Sequence, residues 1–181
     1  MVVPIGTSMH EVGHYIIAKF FYKNVSIHYG STFFDDYYSN FNENLAELLI
    51  VLGGPISTII VSFIFTHFLL RLKKEFSNKK LIILVFSLFI SREVLISLMI
   101  LLKYKFTNTD EYKIFNYFDI NPNVGAVTLL VVSSIYCISI SLKTIHKDLI
   151  LRFYLWAFVG SISGFYLWNK IGFLINVSLW G

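Results

Sequence analysis

The chain has 181 residues, of which 56% are hydrophobic, 18% aromatic and only 14% charged. That composition is too apolar for a soluble domain, whose charged share is about a quarter. The formal net charge of +4 is spread over short loops and forms no single basic face, which excludes nucleic acid as an expected partner and suits a membrane protein with basic loops.

Several apolar stretches have the length of a bilayer crossing, about 20 residues. They are roughly 2–22, 45–71, 80–102, 123–143 and 148–169. They predict an all-α, polytopic, multi-pass integral membrane protein: four to five transmembrane helices in one domain, 1–181, with a strand or small β-hairpin after the first helix. The first helix is expected to start near Pro4, a residue tolerated in a first turn, and to run to Tyr22. Residues 1–9 carry no basic charge and the apolar run continues past Lys19, so a cleaved signal peptide is not expected. Val25, Ile27 and Tyr29 then alternate with Ser26, His28 and Gly30. This period of two predicts a strand over about 25–34 with Gly30 at a turn or bulge.

DDYYSNFNEN reads as a polar loop, with Asn42 or Asn44 capping the next helix. The second span is interrupted by Gly53, Gly54 and Pro55, and a proline there removes a backbone donor and is expected to kink the helix. A basic connection, RLKKEFSNKK, leads to the third span, which carries Arg92 and Glu93 at its middle. A charge at that depth costs at least about 2.5 kcal/mol. Neighbours on a helix point in different directions, so the two are expected to neutralise each other poorly. Either Arg92 reaches a functional site, where it could stabilise an oxyanion, or both make structural contacts between helices. A polar segment with a short helix from about Glu111 to Phe118 follows, then two further spans separated by KTIHKD, and an apolar tail. The one cysteine, Cys137, lies mid-span, so no internal disulfide can form.

The chemistry-bearing motif is HEVGH, residues 10–14, inside the first apolar stretch. Histidines four apart on a helix lie on one face a turn apart, so His10 and His14 can reach one metal ion. Glu11 sits beside that ion, where it can hold and deprotonate a water: the H-E-x-x-H pattern pairs a zinc ion with a carboxylate general base. The plainer alternative is a pair of helix-surface histidines near a membrane interface. Gly13 would let another backbone approach the site, or simply serve helix packing. A catalytic zinc takes a third protein ligand. Asp110, entering a short helix directly after a span, is the leading candidate. The same spacing suits an N-terminal cap, and Glu93 and Glu111 stay open as third ligands.

HEVGH in an apolar first helix, Gly53-Gly54-Pro55 in a second span and an aspartate entering a helix after a third together resemble the site-2 protease family of intramembrane zinc metalloproteases. The resemblance covers roughly residues 5–122. It implies one Zn2+ ion, ligands His10, His14 and Asp110, and Glu11 as catalytic base. Gly54 and Pro55 match the Gly-Pro element of that family's second core helix and, with Arg92, are candidates for substrate binding or support. The family's usual Asp-Gly pair is replaced here by Asp110 and Glu111, and the chain carries no PDZ-like segment, so a minimal, divergent member is implied. Residues 1–122 would form the metalloprotease-like core and 123–181 two additional spans. A strand beside the first helix would pair by backbone hydrogen bonds with an unwound substrate, or else form a small interfacial hairpin.

The expected function is therefore an intramembrane zinc metalloprotease that hydrolyses peptide bonds of membrane protein or peptide substrates at the lipid bilayer. The alternative from another class is a non-catalytic membrane binding or scaffold protein that keeps the same fold. Basic residues cluster at Arg71, Lys73, Lys74, Lys79, Lys80, Lys143, Lys147 and Arg152, on the side opposite Lys23, Lys103, Lys105 and Lys113. By the positive-inside rule the richer side is cytoplasmic, and the site would open away from it.

Overall fold

The computed structural model describes residues 2–28, 30–72, 78–102, 109–145 and 147–180. Helix α1 (Val2–Ala18) stops four residues short of the expected Tyr22. Phe20 and Phe21 donate their amides to the carbonyls of Ile17 and Ala18 at 3.1 and 2.9 Å, closing a tight turn. That turn lets Tyr22 fold back into a small buried cluster with Ala18 and Ile50, against which Ile17, Phe21, Val25 and Tyr37 pack. Burial of aromatic area outweighs another turn of helix there.

The expected strand is a two-stranded antiparallel hairpin, β1 (Tyr22–His28) and β2 (Ser31–Tyr37), paired from Tyr22 with Tyr37 to His28 with Ser31. Asp35 to Tyr37, expected in a polar loop, are thus part of β2. Asp36 adopts a left-handed backbone, with φ of 60°, and its carboxylate accepts from the Asn24 amide nitrogen at 2.7 Å. Aspartate is among the few side-chain-bearing residues that tolerate this region.

Helix α2 (Glu43–Arg71) is capped by Asn42, whose Oδ1 accepts from the Leu45 amide at 3.2 Å, and it runs through the buried Pro55. It packs on α1 through two glycines. A Cβ added at Gly13 would collide with the Gly53 carbonyl, and one at Gly53 would lie 2.7 Å from the Gly13 carbonyl oxygen. The two backbones approach closely because neither glycine has a side chain. Ser57 bridges the same contact, its hydroxyl 2.9 Å from the Met9 carbonyl of α1 and 2.8 Å from the Gly54 carbonyl.

The third apolar stretch is divided, against the expectation of one continuous helix. Helix α3 (Asn78–Ser87) and helix α4 (Ser91–Leu101) meet at a turn formed by Leu88, Phe89 and Ile90. The hydroxyl of Ser62 on α2 accepts the Ile90 amide at 3.0 Å, so the break does not orphan this buried donor. Helices α5 (Asp110–Tyr117), α6 (Pro122–Thr144) and α7 (Lys147–Trp180) complete the chain. The main core joins Leu69 of α2, Leu84, Leu88 and Ile90 around the break, and Cys137 and Ile140 of α6.

The molecule is mostly helical, and three of its lengths are long and apolar enough to cross a membrane: Glu43–Arg71, Lys80–Leu101 and Pro122–Thr144. Along much of α2 and α6 the burial is inverted relative to a soluble bundle. On α2 the buried positions include Gly53, Gly54, Thr58, Ser62 and Thr66, whereas Ile60, Phe63, Ile64 and Phe68 are exposed. On α6, Gly125, Ser133 and Ser141 face inward while Val132, Ile135 and Ile138 face outward. Small and hydroxyl residues at contacts, with apolar side chains outside, is how helices pack where the solvent is itself apolar.

Candidate metal centre

Helical spacing puts His10, Glu11 and His14 together in the middle of α1, where all three are buried and each offers a ligand atom within 4.8 Å of the others. The imidazoles meet edge to face, with ring centroids 4.6 Å apart. Gly54 forms the floor beneath them. A Cβ at that position would lie 2.5 Å from His14 Nε2 and 2.6 Å from His10 Cε1, so only glycine leaves both rings in place.

Asp110 completes the convergence from a distant part of the chain. Its Oδ2 lies 2.8 Å from His10 Nε2 and 3.1 Å from His14 Nε2. The cap of α5 is Thr109, which accepts the Tyr112 amide at 3.3 Å, so Asp110 is not spent on the capping role that its position also allowed. Burial alone would raise the Asp110 carboxyl, but the hydrogen bonds and charges of His10 and His14 hold it well below the ordinary carboxylate range. That direction favours the ionised carboxylate.

The donor set itself tests whether a cation fits. His14 Nδ1 is 2.6 Å from the Ile50 carbonyl, which can only accept, so Nδ1 carries a proton, and whenever the ring is neutral its Nε2 presents a lone pair. That lone pair faces a carboxylate oxygen at 3.1 Å. Two acceptors at that distance need a cation between them, either a proton or a metal. An imidazole whose other nitrogen donates to a backbone carbonyl is the usual support of a metal ligand. His10 Nδ1 is buried without a partner among the described residues. Two imidazoles and a carboxylate are a zinc-type donor set, and residues His10, His14 and Asp110 fit it.

Glu11 has a partner outside its own helix. Thr32 on β2 places its hydroxyl 2.9 Å from Glu11 Oε2 and 3.1 Å from the Glu11 carbonyl. The hairpin therefore contributes directly to the site, and Thr32 is a residue that sequence reasoning missed. Nothing local to Thr32 signals it, because the contact joins residues 21 apart. Searches of family models, curated proteins and solved structures return no match to this chain.

The remaining candidates lie at or beside this centre. Pro55 is buried next to Gly54 and makes no polar contact with the imidazoles. Glu93 and Glu111, the alternative third ligands, both turn to Arg92 instead: Arg92 Nη1 donates to Glu111 Oε1 at 2.8 Å and to Glu93 Oε1 at 3.0 Å. The expectation that Arg92 and Glu93 neutralise each other poorly is thereby corrected. Their Cβ atoms diverge, but the long guanidinium arm reaches back, and a second carboxylate from α5 fixes where it ends. Arg92 Nη2 lies 3.1 Å from His10 Nε2, at the rim of the centre.

Proposed function

We propose that this chain is a multi-pass membrane protein that hydrolyses peptide bonds of membrane-embedded or membrane-associated substrates, with one zinc ion held by His10, His14 and Asp110. The observation that carries the reading is the convergence of two imidazole nitrogens on one Asp110 oxygen, with an acidic side chain beside them. Membrane insertion is supported by the inverted burial of α2 and α6 and by three membrane-length apolar helices.

A bound zinc ion supplies Lewis acidity, lowering the pKa of water and polarising a peptide carbonyl. Glu11 acts as the general base: it accepts the proton of the attacking water and returns it to the leaving amine. Thr32 commits Glu11 Oε2 through its hydrogen bond, so Oε1 is the oxygen that takes the proton. Arg92, whose Nη2 lies 3.1 Å from His10 Nε2, would stabilise negative charge developing on the substrate oxygen. The hairpin beside α1 gives an extended substrate a strand edge to pair with.

The test uses the full chain in detergent or lipid vesicles, with a library of transmembrane peptides as substrate and mass spectrometry as readout. Wild type is expected to bind one zinc and cleave, and Glu11→Gln to keep the zinc while cleavage falls by at least about 100-fold. Equal cleavage by both proteins removes Glu11 from the mechanism. Stoichiometric zinc without cleavage in wild type would favour a binding or scaffold protein.

A further inference from the structure

The fifth helix is docked by a charge. Of the eight residues of α5, Glu111 is the buried one, while its other residues are partly or fully exposed. A short helix ordinarily seats itself with an apolar side chain. The helix lies against α2 and α6, and its one buried side chain reaches Arg92 of α4, whose Nη1 donates to Glu111 Oε1 at 2.8 Å. Arg92 is in turn steadied by its neighbour Glu93, which is 1% exposed. If Arg92 served only to neutralise Glu93, one carboxylate would suffice. The second carboxylate comes from the helix that carries Asp110.

We infer that the Arg92–Glu111 ion pair is the device that sets Asp110 in position as third metal ligand. Consecutive helix residues project about 100° apart. An anchor at Glu111 therefore fixes both the height of α5 and its rotation about its axis, and Asp110 is aimed at His10 and His14 as a result. The far end of α5 is held independently: Phe115 lies over Gly125 of α6, where an added Cβ would meet the ring at 2.7 Å. The Ile120 amide closes the helix end on the Phe115 carbonyl at 2.8 Å. Loss of the ion pair then frees the ligand-bearing end while the other stays seated. Glu111 and Arg92 are positioning residues, and Thr109, by taking the cap, leaves Asp110 free to be positioned.

This inference rests on the metal centre proposed above, and its test separates the two. The full chain in detergent is loaded with cobalt(II), whose visible absorption reports the ligand set, and zinc affinity is measured by chelator competition. Asp110→Ala defines the signature of a lost carboxylate ligand. Glu111→Ala is expected to shift the cobalt spectrum toward that of Asp110→Ala and to weaken zinc binding by about 10- to 100-fold, the usual effect of removing an outer-shell partner. Arg92→Ala, which also removes the 3.1 Å contact with His10, should lose at least as much, and adding Glu111→Ala to it should cost nothing further, since Glu111 acts through Arg92. A Glu111→Ala spectrum identical to wild type, or losses that add in the double variant, would overturn the inference. Should Glu111→Ala fail to fold, Glu111→Gln decides by the same spectrum: a partial shift supports the ion pair and a wild-type spectrum sinks it. A wild-type protein that binds neither metal instead removes the metal centre itself.

Discussion

Thr32 on β2 gives its hydroxyl to Glu11 Oε2 at 2.9 Å, which joins the hairpin to the acid of HEVGH. The contact predicts a specific kinetic phenotype. Thr32→Val keeps the shape of the side chain and removes the donor, so Glu11 loses the bond that orients it without losing its place on α1. Turnover of a cleaved peptide is expected to fall about 10-fold, with one zinc still bound, and Thr32→Ser to recover most of it. Zinc loss in Thr32→Val would show that the hairpin supports the ligands rather than the base.

Gly54 predicts a steric phenotype. An alanine methyl would sit 2.5 Å from His14 Nε2, so one ring must leave its place. His14 is pinned by its Ile50 bond at 2.6 Å, which leaves little room to adjust. Gly54→Ala is expected to lose zinc binding outright while retaining helical circular dichroism. Gly13→Ala meets both the Gly53 backbone and the Ser57 side chain and should cost folding stability, about 1–3 kcal/mol or more, because the whole α1–α2 contact must open.

The parts of this site that were legible in the sequence are those fixed by spacing along one helix. His10, Glu11 and His14 share a turn of α1 whatever else the chain does. The apolar lengths of α2, of Lys80–Leu101 and of α6 follow from composition, as the structure bears out. Asp110 was visible only as one of two roles, ligand or cap, and the Thr109 hydroxyl fills the second of them. The break at Leu88 to Ile90 carries no signal, since all three residues are apolar and the partner that permits it, Ser62, lies 28 residues earlier. Arg92 was misjudged for a related reason. Backbone directions describe where a Cβ points, whereas a guanidinium at the end of a long arm is placed by its partners, one of which is 19 residues away.

Metal removal should register in stability as well as activity. A ligand that binds only the folded state stabilises it by about 2.7 kcal/mol at 100 times its dissociation constant. Chelator-treated protein is expected to melt at lower temperature and to regain its midpoint on adding zinc. Acid should release the metal as protons compete for the imidazole nitrogens. The Asp110 contribution runs lower. Its carboxyl is held below the ordinary range, so the stability it gives to the metal-free protein is present above that range and is lost as pH falls through the depressed folded value. A melting midpoint unmoved by chelator and by zinc at neutral pH would count against the site.

Ser62 offers a prediction about the break between α3 and α4. Its hydroxyl takes the Ile90 amide at 3.0 Å in the turn between α3 and α4, and Ser62 is fully buried. The same neighbourhood holds the Tyr136 hydroxyl, 3.1 Å from the Ser62 carbonyl and 2.6 Å from Thr66 Oγ1. Ser62→Ala leaves the Ile90 amide without that acceptor in a dry interior, which costs about 1–3 kcal/mol. Tyr136→Phe removes a hydroxyl while Thr66 Oγ1 keeps the Ser62 carbonyl at 2.8 Å, so it should cost less. Arg92 lies two residues after the turn, so the Ser62 bond also bears on where the guanidinium stands. Ser62→Ala is therefore expected to lower the thermal midpoint in detergent more than Tyr136→Phe and to weaken zinc binding modestly. Equal midpoints for Ser62→Ala and wild type would mean that the turn at Leu88 to Ile90 is held by side-chain packing alone.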